Sequence, residues 1–448
     1  MTEASVPRSD GLIDAGRVID EAPLGGFQFR ILAIITAVMV LEGVDIQCIS
    51  FVAPAIIRDW GIAPAAFGIV FSAGLIGALA GAALFGPLGD RFGRKPVILL
   101  DIVLFTIGVV ATPFAWDVTS LAIIRFLTSV GLGGVTPNAI ALIAEYAPAR
   151  VRALLVAIVA TSPLAGGMIG GIASRWVIPA FGWEWVFYGA GILSLMVLIP
   201  AMLLPESVRY LIAKGRTGSE TAALVARLDP AGPYDDNSRF LGAQKAARPG
   251  NVADLFRSGF GPITLLLWLG VASNLFMTVL LIYWLPLLLE AQGIPTGTAI
   301  IATSWLNGAG IVGGVALAYL VDRIGAPRVL VTSSIIASLA VPLIGVAAPN
   351  AGLAILFVVL SGFFGLGAYA GLNIIAASVY PVHIRAAGVG FAASIGKAGA
   401  AAGPFAAGTV LAYDLPMTSI YVLAGCAGLV STLTIVAIAR WRHDPGEG

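Results

Sequence analysis

The sequence predicts an all-α membrane protein of twelve transmembrane helices arranged as two six-helix bundles. Three observations carry that prediction. Of 448 residues, 58% are hydrophobic and only 11% are charged, where a soluble chain carries roughly 25% charged residues. Apolar runs of the length that spans a bilayer, about 20 residues, recur twelve times. The second half of the chain repeats motifs of the first at a nearly constant offset.

The predicted spans lie near 30–53, 65–87, 96–114, 119–145, 152–174 and 183–204, then 261–286, 296–320, 328–347, 352–376, 384–411 and 416–439. Residues 1–28 precede them and read as a tail, since they hold Arg8, Asp10, Asp14, Arg17, Asp20 and Glu21 and no signal-peptide core. Residues 29–204 form the first bundle, 205–258 a polar linker, 259–439 the second bundle and 440–448 a short tail. The linker and the loops after even-numbered spans are basic, whereas the loops after odd-numbered spans hold only Arg58 and Arg175. Basic loops stay in the cytoplasm, so both termini and the linker are expected there. The 55 glycines and 26 prolines suit helices that approach closely in lipid.

The repeat has two anchors. "ALFGPLGDRFGRKPVILL" after span 2 is echoed by "GVALAYLVDRIGAPRVLVT" after span 8, which sets Asp90 and Asp322 232 positions apart. "GLGGVTPNAIALIAEYAPARVRA" is echoed by "GLGAYAGLNIIAASVYPVHIRAAG", which sets Arg152 and Arg385 233 apart. A duplicated six-span unit keeps its orientation. Such halves flank a central cavity about an axis along the membrane normal and open to one side or the other by rocking.

Charges inside the spans mark the candidate site. "LEGVDIQ" puts Glu42 and Asp45 on one face of the first helix. Intramembrane acids face a cavity or the bundle interior and serve pathways. Asp45 is the preferred proton carrier, with Glu42 as its partner or a second proton site; a static hydrogen-bond network is the competing account. Arg125 in "SLAIIRFLTSVGLGG" and Lys397 in "GFAASIGKAGAAAGP" are buried cations that need counter-charges. Arg125 is expected on Glu42 or Asp45, and its planar fork also suits a substrate carboxylate. Lys397 is expected to meet a substrate anion, with structural anchoring as the alternative. Asn274, Tyr283, Trp305, Asn307, Tyr369 and Asn373 are candidates for a pocket wall of aromatic faces and amides.

"GPLGDRFGRK" reads as a gating latch rather than a substrate site. Gly86 and Gly89 are expected to let backbones approach, and Asp90, Arg91, Arg94 and Lys95 to form a charge cluster with Glu145, Arg150 and Arg152. Asp322 and Arg323 repeat it in the second half. Cys48 and Cys426 read as packed thiols. No P-loop, HxxxH or CxxC is present and no G-x-G-x-x-G stands in a strand–helix context, so the sequence offers no enzyme, no cofactor and no metal site. A net charge of +1 gives no bulk attraction to nucleic acid.

These motifs together resemble the major facilitator superfamily over about 30–440. Within it, "LEGVDIQ", "PNAIALIAEYAPARVR", "YWLPLLL" and "GKAGAAAGP" resemble the aromatic acid:proton symporter family. The resemblance implies the major facilitator fold in a bacterial inner membrane, working as a monomer with protons and a small aromatic carboxylate as partners. It maps the family's helix-4 arginine onto Arg125 and its helix-11 basic position, often arginine, onto Lys397. Its first-helix pattern D-G-x-D appears as Glu42-Gly43-Val44-Asp45, and the following Gln47 is closer to the 3-(3-hydroxyphenyl)propionate transporters than to the hydroxybenzoate ones. The implied activity is proton-coupled uptake of a hydroxyphenylpropionate or hydroxybenzoate. Its rivals are proton-coupled export of aromatic acids or drugs, uptake of a small aliphatic acid, and a receptor that has lost transport.

Overall fold

A few residues decide where each helix starts and stops. The computed structural model describes residues 8–9, 12–216, 218–230, 232–235, 238–241, 252–257, 260–347 and 350–441. Helix α1, Gly26–Trp60, ends on Gly61 at φ 62°. Helix α2, Phe67–Phe92, turns into α3, Arg94–Ala111, at Gly93 with φ 106°. Helix α4, Val118–Tyr146, starts on a cap in which the Ser120 amide donates to Asp117 at 2.7 Å, and it breaks at Gly134. Helices α5, Arg152–Phe181, and α6, Glu184–Ala201, follow.

After the linker come α7, Gly261–Ala291, α8, Thr296–Ile324, and α9, Ala326–Ala347. Helix α10 runs Ala351–Ser361, passes through a π turn at Gly362–Leu366, and continues as Gly367–Val379. Helices α11, Val382–Ala412, and α12, Thr418–Trp441, complete the order. Gly325 between α8 and α9 has φ 89° and stands 232 positions after Gly93. The two copies of the motif thus share a left-handed turn that disfavours any residue with a Cβ.

Eleven of these helices are long and apolar enough to cross a membrane, among the described residues. The chain is therefore a multi-pass membrane protein. Helix α11 stands apart: it is 31 residues long but carries Lys397 in a glycine- and alanine-rich stretch.

Lipid tails are as apolar as leucine, so close backbone contact rather than hydrophobic burial holds such helices together. A Cβ on Gly43 would come within 1.9 Å of the Pro163 carbonyl oxygen, and one on Gly166 within 2.0 Å of the Val40 oxygen. Helices α1 and α5 therefore touch backbone to backbone. Gly81 does the same for α2 against Val130 of α4, and Gly313 for α8 against the π turn at Phe363.

First-half and second-half helices meet mainly at the end away from the linker. There Gly68 of α2 lies on Gly408 of α11, Gly171 of α5 on Ser304 of α8, and Arg58 of α1 pairs with Glu290 of α7. The linker end has its own layer. Strands Arg8–Ser9 and Leu12–Ile13 pair antiparallel, a small departure from the all-α expectation. Ile13 donates to the Arg239 carbonyl and accepts from the Leu241 amide, both at 2.8 Å. Helix Ala15–Glu21 buries Ala15, Val18 and Ile19, and the linker contributes helices Val208–Ala213, Ser219–Leu228 and Val252–Arg257.

Candidate functional site

Helix α1 carries the acids because Gly43 lets α5 seat against it. Asp45 then points at α4. Arg125 reaches it with both arms of its fork, Nη1 to Oδ1 at 2.8 Å and Nη2 to Oδ2 at 2.9 Å. Asp45 is 0% and Arg125 2% exposed. A bidentate pair of this kind has the geometry that makes a buried charge tolerable. The Phe187 ring lies 6.0 Å from the guanidinium carbon.

Glu42, one turn below, takes a different partner. Thr136, just past the break in α4, bridges its two oxygens at 2.7 and 3.0 Å. Lys397 is exposed on α11 and lies within electrostatic reach of Glu42. The first helix thus holds one acid paired with a buried cation and one acid held by a hydroxyl.

Tyr283 joins this group. It is buried, lies within electrostatic reach of Arg125 and Asp45, and its ring sits 5.1 Å from Phe71. Trp284 is fully enclosed beside it, donating to the Pro404 carbonyl at 3.2 Å. Asn307 is brought in by Gln47. The two amides exchange hydrogen bonds of 2.8 and 2.9 Å across α1 and α8, both buried. That clasp joins the two halves of the chain in mid-helix.

Other candidates do not gather there. Trp305 is 52% exposed on a stripe with Val312, Val315 and Tyr319, the stripe α8 offers to lipid. It stands outside the expected pocket wall because its face is set by Asn307 and Ser304 turning inward. Asn274 is buried with its Oδ1 lacking a hydrogen bond, and nine residues from Tyr283 it projects to the opposite side of α7. Tyr369 is half-buried against the second-half core around Leu372. The side chain of Asn373 lies outside the described residues. Cys48 is packed but Cys426 is exposed.

The latch assembles around Arg94. It pairs with Asp90, approaches Glu145 at 3.9 Å and donates to Asn138 at 3.4 Å. Asn138 in turn donates to the carbonyls of Phe85 and Gly134 at 3.1 and 2.9 Å. Gly89 is glycine because a Cβ there would meet the Asn138 oxygen at 1.8 Å. Gly86 has open space beside it, so the close approach expected of it does not occur. Arg91 lies over the Phe92 ring, and Lys95 offers its amide to Glu206 at 3.4 Å. Arg152 turns away from Glu145 and pairs with Asp20. Asp322 and Arg323 are exposed and form no ion pair among the described residues; Arg323 lies over Tyr319. The reason is visible in the repeat: Arg94 follows Asp90 by four, whereas Ala326 follows Asp322.

Two participants escaped the sequence reading. Glu206 accepts from the amides of Arg94 and Ser207, both at 2.8 Å, and so anchors the start of α3 from beyond α6. Nothing local marks a carboxylate that acts over such a separation. Asp101, 0% exposed in α3, did carry a signal: it is a lone acid in "KPVILLDIVLF".

The model of the Major Facilitator Superfamily matches residues 35–317 and again 267–448. The chain belongs to that superfamily. Its major facilitator relatives include the gallate transporter of Pseudomonas putida, 34% identical over 98% of both chains. The 4-hydroxybenzoate transporter PcaK of Acinetobacter baylyi is 32% identical over 91% of this chain and 90% of its own. The 3-(3-hydroxy-phenyl)propionate transporter of Escherichia coli is 31% identical over 90% and 92%, so identity does not single out that subgroup as Gln47 had. Among solved major facilitators, the crystal structure of a D-xylose-proton symporter matches with TM-score 0.71 at 18% identity, covering 92% of this chain and 97% of that one; this likeness concerns the fold. The chain is accordingly a transporter related to aromatic-acid carriers, not an enzyme.

Proposed function

We propose that this carrier takes an aromatic monocarboxylate into the bacterial cell together with at least one proton. The observation that carries the reading is the buried Asp45–Arg125 pair, set one turn from Glu42. A carboxylate substrate competes with Asp45 for the same fork. Protonation of Asp45 frees Arg125, and the substrate anion replaces the lost charge. Proton and anion then favour each other's binding, which is the linkage that symport requires. Relatives named for gallate, 4-hydroxybenzoate and 3-(3-hydroxy-phenyl)propionate support an aromatic acid, and Phe71, Tyr283 and Trp284 supply ring faces near the pair.

In this reading α11 is the twelfth span, the two sets of six helices are bundles, and the monomeric carrier works in the inner membrane. The linker end and both termini are cytoplasmic. In the same reading the form described is inward-facing, because the Arg58–Glu290 pair and the approach of Gly68 to Gly408 hold the halves together at the end away from the linker, with the Gln47–Asn307 clasp in mid-helix. The latch around Arg94 joins helices of the first half only, so it holds that half together while the two halves rock. Lys397 supplies the second-half cation for the substrate, and Gln47 and Asn307 become free to hydrogen-bond ring hydroxyls when the clasp opens. One proton per monoanion moves no net charge; a second proton adds a dependence on membrane potential.

Proteoliposomes with an imposed gradient, acidic outside, test the reading. Labelled gallate, 4-hydroxybenzoate or 3-(3-hydroxyphenyl)propionate is expected to accumulate, and unlabelled aromatic acids to compete. Failure of every aromatic acid to accumulate or compete sinks the proposal. Accumulation driven by the reversed gradient would instead establish export.

A further inference from the structure

Asp101 is the most anomalous polar group in the molecule. Its carboxyl is 0% exposed and neither oxygen has a hydrogen-bond partner. No cation pairs with it among the described ion pairs. An isolated carboxylate in such a place is costly to keep.

Its surroundings are specific. A Cβ on Gly134 would lie 2.4 Å from Asp101 Oδ2 and 2.3 Å from Phe85 Cβ. Asp101 therefore rests on the break in α4, two residues before Thr136, which holds Glu42. The elements packed against α3 offer little else. Helix α2 presents Phe85, α4 presents Gly131, Gly134 and Thr128, and α6 meets Val110 through Gly191. Glu42 on α1 is the titratable group within electrostatic reach. Toward the linker end of α4 follows Glu145, buried and with its Oε2 lacking a hydrogen bond.

We infer that Asp101 is a third proton-holding carboxyl, and that Asp45, Glu42, Asp101 and Glu145 form a ladder carrying the coupled proton through the first half toward the linker end. The inference rests on the symport reading and deepens it. Each step moves one proton and no electrons. Asp101 gives its proton to a chain of water that spans the roughly 16 Å along α4 between Gly134 and Glu145, and becomes a carboxylate. Glu42 refills it and is refilled from Asp45, which returns to Arg125 as an anion. The substrate leaves through the opening between the halves, so proton and substrate travel by separate routes.

The test uses the whole carrier and two variants, Asp101→Asn and Asp101→Glu. Infrared spectra of the purified wild type at neutral pH are expected to show a protonated-carboxyl stretch that shifts in D2O and is missing from Asp101→Asn. In proteoliposomes, Asp101→Asn is expected to lose uphill accumulation while keeping substrate counterflow, which needs no net proton movement. Asp101→Glu is expected to keep accumulation with a displaced pH profile. A carboxyl band unchanged in Asp101→Asn overturns the inference. So does a lost band with undiminished accumulation, since Asp101 is then a static neutral acid. Should Asp101→Asn fail to fold, the pH profile of Asp101→Glu decides, and an unchanged profile overturns the ladder. Absence of accumulation by the wild type refutes the symport reading itself, and the ladder with it, and is recognised because it needs no substitution.

Discussion

Replacing Asp45 by asparagine removes one charge and keeps nearly the same volume. Arg125 is 2% exposed and places both fork nitrogens on Asp45 at 2.8 and 2.9 Å. Asparagine leaves a single acceptor oxygen and no counter-charge. Removing one partner of a buried ion pair costs about 3–5 kcal/mol, which is roughly two to four decades in the folding equilibrium. Glu42 offers no easy relief, because Thr136 already holds its carboxylate one turn away, beyond the break in α4. Adding Arg125→Gln removes the orphaned cation, so the double variant should be more stable than the sum of the two single losses by about 1–3 kcal/mol. Equilibrium unfolding in mixed detergent–SDS micelles measures all four corners of this cycle. Strictly additive losses would refute the pairing. Transport separates from stability here: neither Asp45→Asn nor the double variant should concentrate substrate, even where the fold is restored.

Other outcomes follow from contacts described above. Gly43→Ala should cost about 1–3 kcal/mol by forcing α1 and α5 apart, whereas Gly26→Ala in the same helix, with open space beside it, should be neutral; thermal unfolding in detergent compares them. Gly89→Ala should destabilise the carrier through its clash with Asn138, and Asn138→Ala in the same chain should recover part of the loss, as read by the same assay. Arg58→Ala removes a partly exposed pair worth about 0.2–1 kcal/mol. It should raise impermeant-maleimide labelling of a Ser304→Cys reporter up to about fivefold in a Cys426→Ser background, and unchanged labelling would count against the Arg58–Glu290 contact as a closure.

Much of this was legible from residue chemistry, for reasons that particular positions make plain. Arg125 could be assigned to Glu42 or Asp45 because a charge within lipid must be paired and few charges were available to pair; the choice of Asp45 needed the structure. The repeat that sets Asp90 and Asp322 232 positions apart was legible in the spacing, whereas the shared turn at Gly93 and Gly325 shows only in their positive φ. Trp305 was not, because an indole suits lipid, interface and pocket alike, and only the inward turn of Asn307 and Ser304 settles its direction. Gly86 illustrates a related limit: glycine in a membrane helix announces close approach without naming a neighbour, and here it has none. Glu206 and Arg152 depend on where the linker and tail fold back, which apolar periodicity does not encode. Asp101 was readable by the same criterion that singled out Glu42, but without a second acid nearby in sequence it drew no attention.

The pairing of Ile13 with Arg239 and Leu241 has a practical consequence for engineering. It ties residues 239–241, well along the linker, to the start of the chain, and Ala149 adds a bond to the Asp20 carbonyl at 3.2 Å. A gene divided just after Leu241 keeps every one of these contacts inside its first fragment. Co-expressed fragments split there should reassemble into a working carrier more readily than fragments divided just after Leu204, which would strip the first fragment of the strand partner for its own leading segment.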